Sequence, residues 1–324
     1  HAPASGDVRP PRRARQRAGN EVGDHRVARA TPQDGAFLAR ITPALFVVLW
    51  STGFIGARLG LPDADALAFL AVRFALVVPI LAATAIATDA PWPRHWREVG
   101  HYAVAGLLVH AIYLGGVFTA IGLGVEAGVS ALIVSLQPLL VAALAGLLLG
   151  ETVRPWQWIG LVLGLLGAGL ILLRKISGVG GGGVAGPLLC VMALLGITAG
   201  TLYQKRFCAR MDLRTGNVIQ FAAAAVACAI GASLFQGWRI DWTPAFVFAL
   251  AWLVLVLSVG AITLLYQLIR RGDASRVSSL FFLVPPCTAL IAWPAFGETL
   301  GPVELLGMAI AVSGVAMVNW RPRR

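Results

Sequence analysis

Apolar positions in this chain run in long blocks rather than in alternation, and polar or helix-breaking residues collect between the blocks. Ten blocks approach the roughly 20 residues a helix needs to cross a hydrocarbon core. They are 42–58, 66–88, 98–121, 127–149, 156–173, 185–207, 214–236, 244–269, 276–296 and 302–320. Pro62, Pro91, Pro93, the stretch Gly150 to Pro155, Gly178 to Pro187, Pro244 and Pro302 punctuate them. The pattern predicts an all-α integral membrane protein with ten transmembrane helices. His1–Arg40 differs in kind. It carries eight Arg and four acids and has no apolar run, so it is read as a disordered basic tail. Nor does it hold the apolar h-region that would mark a secretory signal for cleavage.

Twelve identities recur without a gap, at one offset of 147, between Glu126–Arg174 and Asp273–Arg321. Gly150-Glu151-Thr152 matches Gly297-Glu298-Thr299, Pro138 matches Pro285, and Pro155 matches Pro302. Gly160 and Gly167 match Gly307 and Gly314, and Arg174 matches Arg321. Matched Ala and Leu mean little in so apolar a chain, but these residues sit at equivalent points of the pattern. They divide the chain into a first repeat at 41–174 (spans one to five), a Gly-rich linker at 175–184, a second repeat at 185–321 (spans six to ten) and a short basic end at 322–324. Duplicated membrane halves are a recurring architecture of secondary transporters, with the substrate site at the repeat interface.

Composition and charge refine this picture. The chain is 58% hydrophobic and 13% charged, with a mean hydropathy of +0.78, which excludes an ordinary soluble domain. A net charge of +11 could suggest nucleic acid, yet the Lys and Arg lie in the tails and between apolar blocks, where membrane proteins place them. With the N-terminus cytoplasmic, that side holds thirteen loop cations besides the eight of the tail. Four, Arg58, Arg174, Lys175 and Arg239, fall on the other side. Both termini are therefore expected in the cytoplasm. Five spans per half is an odd number, so the second half should enter the membrane upside down. The sequence thus predicts two inverted five-helix repeats. Four cysteines (Cys190, Cys208, Cys228 and Cys287) match no metal spacing and read as small buried hydrophobes.

Trp50-Ser51-Thr52-Gly53-Phe54, Pro138, and the Gly-Glu-Thr turns followed by Gly160, Gly164 and Gly167 and again by Gly307 and Gly314 carry a specific likeness. On these residues the chain resembles the drug/metabolite transporter superfamily in its ten-span form with two EamA-type repeats. The resemblance covers about residues 41–321. It is similar to bacterial metabolite exporters, amino-acid exporters among them, and so implies a non-enzymatic carrier of the bacterial inner membrane without a cofactor. No motif names the substrate.

Polar groups inside a span are costly unless they face a cavity or a partner. The candidates to line a substrate cavity are Trp50, Arg73, His110, Tyr113, Gln137, Tyr266 and Gln267. His110 and Tyr113 lie about one turn apart, as do Thr263, Tyr266 and Gln267. His110 reads equally well as an interhelical hydrogen-bond partner. Arg73 could hold a substrate carboxylate, pair with Asp63 or Asp65, or snorkel outward. Tyr203, Gln204, Asn217 and Gln220 are further polar residues near span ends. Pro138, Pro285 and Pro286 should open or kink their helices at mid-membrane depth and are candidate hinges. The Gly-spaced helices, Gly169 included, should pack closely, and Glu151 and Glu298 should cap helix N-termini. No acid lies in the middle of a span, no P-loop occurs, and no metal set is visible, which favours facilitated or weakly coupled export. The reading is a carrier that exports small metabolites, amino acids first, with nucleosides or cationic drugs as alternatives. A membrane sensor or an intramembrane enzyme is the rival class. The expected partners are the bilayer and a small-molecule substrate; the oligomeric state is left open, and a monomer suffices.

Overall fold

The computed structural model describes residues 32–149, 155–176, 184–261, 281–298 and 301–319. Two compact units divide the chain, His1–Leu38 and Ala39–Arg324. The described residues are helical apart from turns and one isolated antiparallel bridge, Ala64 to Ile240. In chain order the helices are α1 (Pro32–Gly60), α2 (Ala66–Ala87), α3 (Trp96–Gly106), α4 (Tyr113–Gly122), α5 (Ala127–Val134), α6 (Gln137–Leu149) and α7 (Pro155–Ile176). They continue as α8 (Ala185–Phe207), α9 (Leu213–Phe235), α10 (Pro244–Ala251), α11 (Val284–Phe296) and α12 (Pro302–Asn319).

Four helical stretches are long and apolar enough to cross a membrane: Ala66–Ala87, Trp96–Gly122, Ala185–Phe207 and Leu213–Phe235. Shorter apolar helices at Ala44–Gly60, Ala127–Val141, Trp158–Gly167, Pro244–Gly260, Val284–Phe296 and Pro302–Gly314 fall within the other expected blocks. Large apolar side chains such as Leu166, Leu234, Ile230 and Leu290 are exposed, which suits a surface solvated by lipid. One boundary corrects the expectation: α1 begins at Pro32, inside the segment read as disordered. Proline needs no N–H in the first turn, and the Ala-Phe-Leu-Ala-Arg that follows are helix-compatible. Residues 1–31, the linker glycines 180–183 and the Gly150-Glu151-Thr152 turn lie outside the described residues.

The offset of 147 reaches further in the structure than in the residues. Shifted by 147, α2 (66–87) becomes 213–234 and falls on α9, while α6 (137–149) becomes 284–296 and coincides with α11. The irregularities repeat as well. A π-helical segment at Leu107–Ile112 maps to 254–259, inside a second one at Trp252–Ala261. The helix break at Ser135–Leu136 maps to 282–283, inside a 3-10 turn at Phe281–Leu283. Pro138 and Pro285 are therefore both the second residue of a helix rather than interior kinks, and Pro286 follows in the same first turn. A missing N–H costs nothing there, so these prolines open the helices by starting new ones.

Equivalent helices pack on each other: α7 on α12, and α2 on α9. At the first crossing a Cβ on Gly167 would meet the Gly307 carbonyl oxygen and the Ala311 nitrogen. One on Gly314 would meet the Gly160 oxygen and the Gly164 nitrogen. Each contact maps onto the other by 147 (160 to 307, 164 to 311, 167 to 314), and higher numbers on one helix meet lower numbers on the other. The helices are therefore antiparallel. The same is true of α2 and α9. The Leu67 N–H at the start of α2 donates to Gln236 beyond the end of α9, and Thr215 near the start of α9 donates to the Pro91 carbonyl beyond α2. The glycine spacing thus serves close packing, but Gly169 has nothing within 4 Å and takes no part.

Candidate functional site

A cavity of ≈300 Å³ lies among α1, α2, α4, α5, α6, α8, α9 and the two π segments, a size at the lower end for small-molecule sites. Trp50, Arg73, His110, Tyr113, Gln137 and Pro138 all line it. Tyr266 and Gln267, with Thr263, lie outside the described residues. Pro285 and Pro286 are not among its walls, although their neighbours Phe281 and Val284 are.

The Trp50–Phe54 stretch of α1 builds one wall, each residue doing something different. Trp50 faces the cavity and meets Phe281 edge-on, with centroids 5.2 Å apart. Ser51 Oγ is buried, 2.8 Å from the Val47 carbonyl oxygen and 3.3 Å from that of Val284, which ties α1 to the start of α11. Thr52 Oγ1 accepts from Trp252 Nε1 at 2.9 Å. Gly53 admits Leu257 against its backbone, and Phe54 returns to the cavity.

Arg73 projects from α2 and is 3% exposed. Its Nη2 donates to Ser258 Oγ at 3.2 Å, while Nε and Nη1 are buried without a hydrogen-bond partner. The Phe74 and Phe118 rings lie 5.8 and 6.0 Å from its central carbon. Two sequence alternatives for this residue fail. Asp63 accepts from Thr243 Oγ1 at 2.6 Å and Asp65 from the Arg239 N–H at 2.8 Å, so neither pairs with Arg73, and its burial rules out snorkelling.

His110 sits in the π-helical segment between α3 and α4 and stacks on Phe221 of α9, with centroids 4.1 Å apart. Its Nε2 is buried without a partner. Isolated π segments are frequent at functional positions, because the extra residue re-aims side chains. Gln137, which opens α6, donates to Thr201 Oγ1 of α8 at 2.9 Å. Ser258, Thr201, Phe221 and Phe281 belong to the walls too. They were missed because a lone hydroxyl or Phe in an apolar block carries no signal above its background. Conversely, Tyr203 and Gln204 are engaged elsewhere, and Gln220, though no wall of the cavity, lies against His110. Gln204 donates to Gln220 at 3.1 Å, Gln220 Nε2 lies 3.4 Å from Met211 Sδ, and Tyr203 meets His101 Nδ1 at 2.7 Å.

Beyond the cavity, polar contacts tie the helix ends together. At one end Glu298, in the turn between α11 and α12, accepts from the Ala127 N–H at the start of α5 (3.0 Å) and pairs with Arg58 Nε (3.3 Å). Glu298 does cap a helix, but one in the other repeat. Burial pushes its carboxyl above the usual carboxylate range, against the pull of the Ala127 N–H and Arg58. Nearby, the 62–65 turn exchanges backbone hydrogen bonds with Arg239 and Asp241. At the opposite end Asp212 caps α9 by accepting from the Arg214 N–H and is held below the usual range by the Arg214 side chain.

The comparisons with known proteins agree with this architecture. The EamA-like transporter family matches twice, at residues 37–173 and 184–320. The chain belongs to the EamA-like transporter family. The two matches are themselves separated by 147 (184 − 37 = 147), the offset of the residue identities. An uncharacterized inner membrane transporter, YedA of Escherichia coli K12, is 28% identical over 282 residues, 85% of this chain and 88% of that one. Uncharacterized transporter YvbV of Bacillus subtilis is 26% identical over 290 residues, 86% of this chain and 91% of its own. A probable terminal-alkyne amino-acid exporter of Streptantibioticus cattleyicolor is 24% identical over 284 residues, covering 86% and 92%. One crystal structure shares the fold with a TM-score of 0.59 at 22% identity, over 86% of this chain and 95% of that one. Family and relatives are named as transporters, not enzymes. This EamA-family chain is a membrane transporter.

Proposed function

We propose that this EamA-family transporter exports small metabolites, neutral amino acids first among them, across the bacterial inner membrane by alternating access. Ten spans form two inverted five-helix repeats, with both termini in the cytoplasm, and a monomer is sufficient. The observation that carries the reading is the antiparallel packing of equivalent helices, α7 on α12 and α2 on α9, together with a cavity to which both repeats contribute and which α2 and α9 help to line. A two-fold axis lying in the membrane plane relates helices in that way, and it is the arrangement through which inverted-repeat carriers rock about a fixed site. Pro138 and the Pro285-Pro286 pair begin helices at equivalent breaks, where backbone rotation is least opposed, and serve as the hinges. Trp50, Arg73, His110, Tyr113 and Gln137, together with Tyr266 and Gln267, hold the substrate. The amino-acid preference is supported by the name of the Streptantibioticus relative. Cationic drugs are disfavoured because no acid is among the described residues lining the cavity.

Counterflow in proteoliposomes against amino acids, nucleosides and lipophilic cations, with and without a pH gradient, tests the class and the coupling. Exchange of none of the three refutes the transport reading. His110→Ala and Gln137→Ala should slow exchange at unchanged protein level. Wild-type rates in both would remove these residues from the site.

A further inference from the structure

The electrostatics of the cavity are lopsided. Arg73 brings a full positive charge into it, and no lining residue among those described is acidic. Of its hydrogen-bonding groups, one contact to a neutral hydroxyl is made, and two nitrogens that could donate are buried without a partner. Two ring faces near 6 Å offset part of the lost hydration, but rings accept no hydrogen bonds of the strength an anion gives. Leaving charged donors unpaired in a dry site is expensive.

The repeat shows that the fold does not demand a cation there. Shifted by 147, Arg73 of α2 falls on Gln220 of α9, equally buried at 1% exposure in the equivalent helix. Gln220 is neutral and meets Gln204, Met211 and His110. The same scaffold position thus holds a satisfied amide in one repeat and an unsatisfied guanidinium in the other, and only the guanidinium lines the cavity. Apart from a few neutral polar groups such as Gln137, Thr201 and Ser258, the cavity walls are apolar and aromatic, with Phe54, Val117 and Phe118 among them.

We infer that Arg73 is the anion-binding group of the cavity and that the carried substrate is a small monocarboxylate with an apolar or aromatic body. The inference rests on the transport reading of the same cavity and narrows its substrate. One guanidinium neutralises one carboxylate, and its planar fork matches two carboxylate oxygens. Ser258 takes one N–H of Nη2, and the second Nη2 N–H forms a fork with the adjacent unpartnered Nε or Nη1 for the ligand. An amino acid enters this class through its carboxylate; the ammonium finds no carboxylate counter-charge among the described walls and is dispensable for binding.

Equilibrium binding of 3-phenylpropionate, 3-phenylpropionamide and phenethylamine to the purified full chain in detergent tests this. The three share a body and differ in the charge of the head. The acid should bind at least about 10-fold tighter than the amide or the amine, the discrimination a charged hydrogen bond supplies. Arg73→Gln should weaken the acid roughly 10- to 100-fold and leave the amide unchanged, with Arg73→Lys in between because it keeps the charge and loses the fork. The comparison within the wild-type protein stands even if a variant fails to fold. Equal binding of acid and amide, failure of the acid to bind, or wild-type affinity in Arg73→Gln would each overturn the inference. Counterflow of another metabolite by a protein that ignores the acid leaves the transport reading intact and removes this one. Binding of the acid without exchange of any solute across vesicles does the reverse.

Discussion

Replacing Gly167 by alanine puts a methyl carbon 2.6 Å from the Ala311 nitrogen and against the Gly307 carbonyl oxygen, both backbone atoms that cannot rotate away. Ordinary contact begins near 3.4 Å, so α7 and α12 must separate there by at least about 0.8 Å (3.4 − 2.6), the Gly307 oxygen being closer still. Over-packing of this kind costs about 1–3 kcal/mol. Up to about 1 kcal/mol returns because alanine favours the helix over glycine. A net loss of up to about 2 kcal/mol follows. Gly314→Ala should lose the same amount, because its methyl carbon would lie 2.6 Å from the Gly164 nitrogen and against the Gly160 oxygen. Gly169→Ala, with nothing within 4 Å, is the control and should be neutral or slightly stabilising. The double variant is the sharper measurement. Either methyl opens the same seam, so the second meets a gap already made, and the pair should fall short of additivity by about 1 kcal/mol. Thermal unfolding of the full chain in dodecyl maltoside reads all four. Midpoints for Gly167→Ala and Gly314→Ala that match Gly169→Ala refute the close crossing. Two single losses that differ widely refute its two-fold character.

Glu298 gives a pH signature. Its folded carboxyl is held above the ordinary value by burial, so the folded state grips that proton more tightly than the unfolded chain. Stability from this source is present below the unfolded value, about 4.3, and is lost as pH rises through the raised folded value. Glu298→Gln should flatten that decline in melting midpoints between acidic and neutral pH; an unchanged slope in the variant contradicts the assignment. Thr243 caps α10 by accepting from the Phe246 N–H at 3.1 Å and donates to Asp63. Thr243→Ala should cost about 1 kcal/mol and Thr243→Ser little. Equal loss in both would show that the methyl group, not the cap, matters.

Much of the scaffold was legible because glycine and proline leave few alternatives. Gly167 and Gly314 stand where a Cβ would meet the backbone of the facing helix at Gly307 and Gly160, so all four glycines repeat visibly in the sequence. The α2 and α9 pair is just as equivalent in the structure but left little trace, since a lipid-facing or apolar-packed position accepts Ala, Val, Leu or Phe alike. The site was half legible. Arg73, His110, Tyr113 and Gln137 stood out as costly groups in apolar blocks, and all reach one cavity. Tyr203, Gln204 and Gln220 stood out equally, yet their costs are met by one another and by His101 and Met211. Sequence polarity marks a residue that needs a partner; only the structure says whether the partner is already there. The α-helical spacing argument for His110 and Tyr113 also met the unforeseen π segment, which changes the phase between them.

Symmetry and asymmetry divide the labour in this molecule. Among the described residues the ends of α2 and α6, the π segments, the helix breaks and the glycine crossings follow the offset of 147 to within about two residues, and on the proposed reading two conformations of similar free energy follow most directly from two halves that can exchange roles. The monocarboxylate proposed for the cavity has no such symmetry, so the groups proposed to hold it should break the repeat. They do. Arg73 answers to Gln220, His110 to Leu257, and Gln137 to Val284, so three polar cavity residues of the first repeat face one amide and two aliphatic side chains at the equivalent places of the second. On the proposed reading recognition is concentrated in α2, the first π segment and the start of α6. Substitutions that alter substrate choice without altering the balance of states should fall there, and those that alter the balance should fall at Gly167, Gly314 and the Glu298 turn.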